Sequence, residues 1–325
     1  MLHFSAMDNK PEKPKTGLVT NPIFMKHRTG PGHPESPLRY EAAHKMLAEK
    51  KLLEKTLAIQ AEPAELKAAA LCHTEDYIRM AKEDIEAGRD DLRTGDTNVS
   101  ADSLNVARHA MGGVQQAVDA VFASEVDNAF CLMRPPGHHA TPQIGMGFCI
   151  FNTAGIAARY AQKKHKIEKA LIVDWDVHHG NGTQDIFYGD GSVFYFSTHQ
   201  SPWYPGTGAR SDTGEGEGKG TTMNFPFPAG AGRKEIIGAF ENELAPAMDK
   251  FKPELIIVSA GFDSRFRDPL GQFRLEDEDF VDLTKVMMKL ADQYAGGRLV
   301  SLLEGGYSLE GLASAVHAHV DTLIK

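Results

Sequence analysis

Three segments far apart in the sequence carry residues that together could hold a divalent cation and move a proton: Asp174-Trp-Asp-Val-His178, Pro135-Pro-Gly-His-His139 and Ser259-Ala-Gly-Phe-Asp263. The first follows an apolar run, Ala170 to Val173, that reads as a buried strand, and Gly180 and Gly182 come soon after it. Side chains alternate along extended backbone, so Asp174, Asp176 and His178 share one face while Trp175 and Val177 share the other. A carboxylate and an imidazole two residues apart can reach one metal ion. An isolated Asp-x-His is more often a buried ion pair. The run of polar groups directly after a core strand favours the metal.

Asp176, His178 and Asp263 offer two oxygens and a nitrogen. That set leaves a cation open positions for water and substrate, the pattern of a catalytic site. Zn²⁺, one per chain, is the ion expected, and Fe²⁺ also suits a carboxylate-rich set. Such an ion acidifies a water and polarises an acyl oxygen. His138 and His139 are basic enough to take a proton from that water and deliver it to a leaving nitrogen. Adjacent histidines are otherwise ordinary core or surface residues, and their Pro-Pro-Gly-His-His turn is what argues for a chemical role. A buried histidine needs its second nitrogen oriented, and Asp174 and Asn181 are the available partners. Tyr307, in Glu304-Gly-Gly-Tyr307, can donate its hydroxyl to a developing oxyanion.

Positioning these groups requires a frame of alternating strands and helices. Strands are expected at Gly17 to Thr20, Ala129 to Met133, Ala170 to Val173, Val193 to Phe196, Leu255 to Asp263 and Leu299 to Leu303. Apolar spacing predicts helices over Leu38 to Leu53 behind a Ser36-Pro37 start, after Pro63, and after Thr74 as N-cap. Further helices are expected from Ser100 or Asp102 to Ala123, over Thr153 to Lys164, near Thr183, over Arg233 to Phe251, over Glu276 to Tyr294, and at the C-terminus. Continuously apolar strands alternating with helices imply an α/β fold: a single three-layer domain, a mostly parallel central sheet, helices on both faces and long loops at the strand carboxyl ends. Ligand crevices in such sheets lie beyond those ends. Four of them carry His138-His139, Asp174-Asp176-His178, Asp263 and Tyr307.

The 325 residues could form two domains or one large one. We expect residues 1–16 to be a disordered lead-in and 17–325 to be one catalytic domain. Composition is ordinary at 42% hydrophobic and 24% charged, and the 31 glycines point to elaborate loops. A net charge of -9 argues against a nucleic-acid partner. Cys72, Cys131 and Cys149 are too few and scattered for a disulfide framework, which fits a reducing compartment. Met1 to Lys15 lacks an apolar signal core, and no run approaches a membrane span, so a soluble cytoplasmic protein is expected. A homo-oligomer is left open.

The motifs resemble the histone deacetylase family, including its bacterial deacetylase-like and acetylpolyamine amidohydrolase members. The resemblance is carried by Arg134-Pro-Pro-Gly-His-His139, Gly147-Phe-Cys-Ile-Phe-Asn152, Asp174-Trp-Asp-Val-His-His-Gly-Asn-Gly182, Tyr204-Pro-Gly-Thr-Gly208, Ser259-Ala-Gly-Phe-Asp263 and Glu304-Gly-Gly-Tyr307. It implies an arginase-like α/β fold, Zn²⁺ on Asp176, His178 and Asp263, and hydrolysis of an acyl-amide on a lysine-like amine. His139 would be the general base beside His138, and Tyr307 would bind the carbonyl oxygen. Phe148 and Tyr204 would wall a narrow tunnel, Gly147 would offer its carbonyl to the substrate, and Asp96 would be a rim carboxylate holding a peptide backbone. K⁺ would bind at Asp174, the backbone of Asp176 and His178, Ser197 and the Thr198 carbonyl. Arg39 would sit by a channel through which acetate leaves.

Three departures from the family pattern matter. Tyr204 stands where phenylalanine is usual. Asn181 replaces the aspartate of the nuclear class I enzymes, which groups the chain with class II and bacterial members. Leu270 stands where polyamine-selective relatives place a glutamate, and Arg265 and Arg267 nearby add positive charge, which favours acetyl-lysine in peptides over acylated polyamines. A small-molecule acylamine amidohydrolase is the runner-up. A non-catalytic acyl-lysine reader is opposed by the intact ligand set and Tyr307. An arginase-like ureohydrolase would need more bridging carboxylates for two Mn²⁺ ions.

Overall fold

A computed structural model describes residues 16–325. The expected lead-in falls outside the described residues except for Thr16, which is already part of the first strand. The strands are β1 Thr16–Thr20, β2 Leu57–Gln60, β3 Asn128–Cys131, β4 Ala170–Asp174, β5 Val193–Gln200, β6 Thr222–Phe227, β7 Leu255–Ala260 and β8 Leu299–Leu303. The helices are α1 Pro37–Glu49, α2 Glu75–Glu86, α3 Ser103–Phe122, α4 Thr153–His165, α5 Asn181–Phe187, α6 Arg233–Ala239, α7 Ala245–Phe251, α8 Asp277–Tyr294 and α9 Leu309–Ile324. A π-turn, Phe240–Leu244, joins α6 to α7, so the helix expected over Arg233 to Phe251 is interrupted but continuous in direction.

The strands form one sheet in the order β2-β1-β3-β8-β7-β4-β5-β6, every pair parallel. Helices form two packed groups, α1 with α9 and α8, and α3 with α4, and cover the two faces. The expected α/β architecture is borne out. Strands β3, β4, β7 and β8 are buried along their whole length, which explains their mainly apolar sequences. They are also immediate neighbours, β3-β8-β7-β4, in the middle of the sheet. Their carboxyl ends therefore open side by side.

Some expectations need correction. The stretch after Pro63 is a 3-10 turn, Leu66–Leu71, because Thr74 caps α2 by accepting the Tyr77 N–H and too little chain remains for an α-helix. Edge strands β2 and β6 were not expected. Strand β2 alternates between half-buried and exposed, and β6 contains Pro226, so neither shows the apolar run of a central strand. Strand β5 continues past Phe196 through buried polar residues, of which Ser197, His199 and Gln200 find partners, with Ser197 Oγ 2.9 Å from His199 Nδ1 and the Gln200 amide donating to Gln272.

Candidate active site

Beyond the end of β4 the chain folds its acidic and imidazole groups inward. Asp176, His178 and Asp263 place ligand atoms within 4.8 Å of one another. His178 Nδ1 lies 3.0 Å from Asp176 Oδ1 and 3.2 Å from Asp263 Oδ2. Backbone donors hold both carboxylates: Val177 N–H on Asp263 Oδ1 at 2.8 Å, and Gly305 N–H on Asp176 Oδ2 at 2.8 Å. Gly305 is required, because a Cβ there would stand 2.0 Å from Asp263 Oδ2. Asp263 Oδ2 is buried without a hydrogen-bond donor. Buried polar atoms are normally satisfied, so an orphaned carboxylate oxygen beside an imidazole and a second carboxylate fits a missing cation.

The electrostatics agree with that fit. Burial opposes a charge on His178, but Asp176 and Asp263 outweigh it and push the imidazole up to about 10. Burial, together with the Asp176 charge, pushes Asp263 up to about 7. A cation would take the place of the proton that otherwise bridges these groups. A second cluster, His138, Cys149 and Glu304, is close enough to share an ion. Burial drives the Cys149 thiol well above its usual range, and Glu304 already accepts from Gly137 N–H, His138 N–H and Ser259 O–H. A protonated thiol is a poor ligand.

The two tandem histidines have different surroundings. His138 Nδ1 lies 2.9 Å from Asp174 Oδ2, and His139 Nδ1 lies 2.8 Å from Asn181 Oδ1. Burial opposes charge on His138, yet Asp174 and Asp176 raise it well above the ordinary imidazole range. Burial pushes His139 well below that range, and the positive charges of His138 and His178 push it further. The surroundings favour the cation on His138 and the neutral ring on His139, 4.0 Å away between centroids. Only the neutral one lines the cavity.

That cavity, about 240 Å³, is lined by Asp96, His139, Gly147, Phe148, His178, Trp203, Tyr204, Leu270 and Tyr307. At about 30 Å³ per water it holds about eight water volumes, room for a small ligand or an alkyl chain. A larger groove between α7 and α8, about 500 Å³, is lined by Glu241, Asp249, Lys285 and Lys289, none of which belongs to a cluster that could hold a metal ion. Gly147 adopts φ +56, and a Cβ there would stand 2.3 Å from the His139 ring. Tyr307 is held by Asp268, whose Oδ2 accepts the Tyr307 N–H at 2.7 Å and the Ser308 N–H at 3.1 Å. Burial raises the Tyr307 hydroxyl well above its usual range despite the opposing Arg39 cation, so it remains a donor.

Arg39 lies behind Tyr307, its guanidinium 4.9 Å from the ring centroid. It donates to Gly306 O at 2.6 Å, to Glu304 O and to Glu35 Oε1 at 3.0 Å. Arg134 grips the same Glu35 through Nε and an outer nitrogen at 2.5 and 2.6 Å. All three side chains are fully buried. Burial alone would raise the Glu35 carboxyl, but Arg134 and His27 hold it well below the usual range. Removing that carboxylate strands two guanidinium groups in the interior. Glu35→Ala is expected to lower unfolding stability by about 3–5 kcal/mol in urea titrations, and a loss below about 1 kcal/mol would refute this account of the cluster.

For the K⁺ set, Asp174 and Ser197 are register partners on β4 and β5, and Thr198 follows. Asp174 also accepts from Asp176 N–H at 3.1 Å. The expectation for Arg265 and Arg267 is corrected. Arg265 is paired with Asp277 at 2.7 Å, Arg267 lies over Phe266, and neither lines the cavity, whereas Leu270 does. Trp203, Asp268, Glu304 and Glu35 were not expected as site residues. Trp203 had one signal, an aromatic beside Tyr204-Pro-Gly in a glycine-rich loop. The others act through contacts with distant segments.

A model of the histone deacetylase domain matches residues 33–323. A probable deacetylase of Archaeoglobus fulgidus is 39% identical over 298 residues, covering 91% of this chain and 82% of that protein. Polyamine deacetylase HDAC10 of Mus musculus is 39% identical over 301 residues, covering 89% of this chain but 45% of the mouse protein, so the chain spans less than half of its length. The solved HDA15 HD domain has a TM-score of 0.90 and 34% identity, covering 95% of this chain and 89% of that one. No helix among the described residues is long and apolar enough to cross a membrane.

Proposed function

The chain belongs to the histone deacetylase family of hydrolases, and from that premise we propose that it hydrolyses the acyl-amide of a lysine-like alkylamine, with acetyl-lysine in a peptide as first substrate. The observation that carries this reading is an imidazole and a tyrosine that line one cavity of about 240 Å³ together with His178 of a carboxylate–imidazole–carboxylate set. Asp176, His178 and Asp263 would hold one divalent cation, Zn²⁺ by donor type with Fe²⁺ as the alternative. When bound, that ion supplies a Lewis acid for the acyl oxygen and lowers the pKa of a water.

The chain's own groups do the rest. His139 has Nδ1 tied to Asn181 and Nε2 free, so Nε2 accepts the water proton and passes it to the amine nitrogen as the C–N bond breaks. His138, held charged by Asp174, keeps His139 a weak enough base to release that proton. The Tyr307 hydroxyl donates to the acyl oxygen as negative charge develops there. Phe148, Tyr204 and Leu270 enclose the alkyl chain, with the Gly147 carbonyl available to an amide N–H. Asp174, Ser197 and Thr198, with the backbone of Asp176 and His178, would hold K⁺. Arg39 would guide the released acid.

A small acylated amine is the second reading. It is favoured by the pairing of Arg265 with Asp277, which leaves Asp96 as the charged rim group lining the cavity among the described residues. Rates on an acetyl-lysine peptide, acetylputrescine and acetylspermidine, measured after chelation and after reloading with Zn²⁺ or Fe²⁺, test both readings. Chelation should cut turnover at least about a hundredfold, and reloading should restore it. Full activity in protein shown to be metal-free would remove the cation from the mechanism, turnover of none of the three compounds after reloading would remove the hydrolytic reading, and a large polyamine advantage would favour the second substrate class.

Asn181→Asp puts a carboxylate on His139 Nδ1. A nearby negative charge stabilises the imidazolium, so the pKa of His139 should rise. Because the base works only when neutral, the acid limb of kcat/KM should move to higher pH. An unmoved profile would count against His139 as the base.

A further inference from the structure

Three loops meet at one carboxylate above the cavity. Asp96 lies on the loop between α2 and α3, Gly147 on the loop between β3 and α4, and Tyr204 on the loop after β5. Asp96 Oδ1 accepts the Gly147 N–H at 2.8 Å, and Oδ2 accepts the Tyr204 hydroxyl at 2.8 Å. The neighbouring Trp203 indole donates to Leu270 O at 2.8 Å, which ties the same loop across the mouth. The Tyr204 ring, 37% exposed, stands edge-on to His139 at 5.1 Å and to His178 at 6.2 Å between centroids. One side chain is therefore both wall and rim.

A carboxylate offers about four acceptor positions, and these two bonds use one on each oxygen. They also fix its rotation, so the remaining lone pairs stay at the mouth in a set direction. An acceptor ordered before binding costs a ligand less entropy than a freely rotating one. A phenylalanine here would keep the wall and leave Asp96 with a single tether. The resemblance already implies that Asp96 is the rim acceptor for a peptide N–H; we propose that the Tyr204 hydroxyl is the positioning group for that carboxylate, so that this one bond sharpens selection for substrates bearing an N–H donor just outside the tunnel. This rests on the reading of the cavity as an acyl-amine site.

The test compares a blocked tripeptide containing Nε-acetyl-lysine with N-acetylpentylamine, which keeps the chain and lacks the donor. Tyr204→Phe is expected to lower the peptide-to-alkylamine ratio of kcat/KM about tenfold, through the KM of the peptide and not its kcat. In an Asp96→Ala background the same substitution should move the ratio less than about twofold. An unchanged ratio in the first case, or an equal drop in the Asp96→Ala background, overturns the proposal. If the unsubstituted protein turns over neither compound, the functional reading has failed, and the ratio is taken from calorimetric Kd values. Selective weakening of the peptide by Tyr204→Phe then supports the positioning role, while equal weakening, or no binding of either compound, overturns it.

Discussion

Tyr307→Phe should retain the bound metal and lose roughly a hundredfold to a thousandfold in kcat, the usual cost of removing one donor aimed at a developing oxyanion. The substitution deletes one oxygen and leaves its supports in place. Asp268 holds the backbone of residue 307 through two N–H groups, and the Arg39 guanidinium packs on the ring and not on the hydroxyl. Burial keeps that hydroxyl protonated well past neutral pH, so the donor is present across the working range. Metal content by elemental analysis and kcat on the acetyl-lysine peptide decide the matter. A variant with full metal and kcat within about threefold of the parent would take Tyr307 out of the reaction.

His139→Ala should cost about a hundredfold to ten-thousandfold in kcat/KM, because the other imidazole lining the cavity among the described residues, His178, belongs to the cation site. The sign of its pH dependence follows from its surroundings. Burial, then the charge on His138, lower its pKa, so the neutral form persists below the ordinary imidazole range and activity should hold on moderate acidification. The acid limb should vanish in His139→Ala along with the main activity. Retention of that limb would assign the titration to another group, with His138 the first to examine since Asp174 raises it in the opposite direction.

Local sequence was enough to place the strands that carry the site. Ala170 to Asp174, Leu255 to Ala260 and Leu299 to Leu303 are buried on both faces, so each is mainly apolar, with Asp174 closing the first and Ser259 and Ser301 inside the others. Asp174, Asp176 and His178 are likewise legible as one polar set directly after a core strand, although the chain from Asp176 to His178 bends instead of staying extended. Strands β2 and β6 escaped notice because an edge strand is half solvated and leaves no such run.

Tertiary structure alone decided the remaining points, because each is a pairing between segments far apart in the chain. Strand order makes β3, β8, β7 and β4 adjacent, and that adjacency brings Asp263 to His178. Sequence could not say that His139 and not His138 faces the cavity, since neighbouring residues in a loop have no fixed periodicity. Nor could it say that Arg265 is neutralised by Asp277, that Glu35 holds two arginines, or that Tyr204 reaches Asp96 across 108 positions. Periodicity reports whether a residue is buried, while the identity of its partner depends on loops whose ends the sheet brings together.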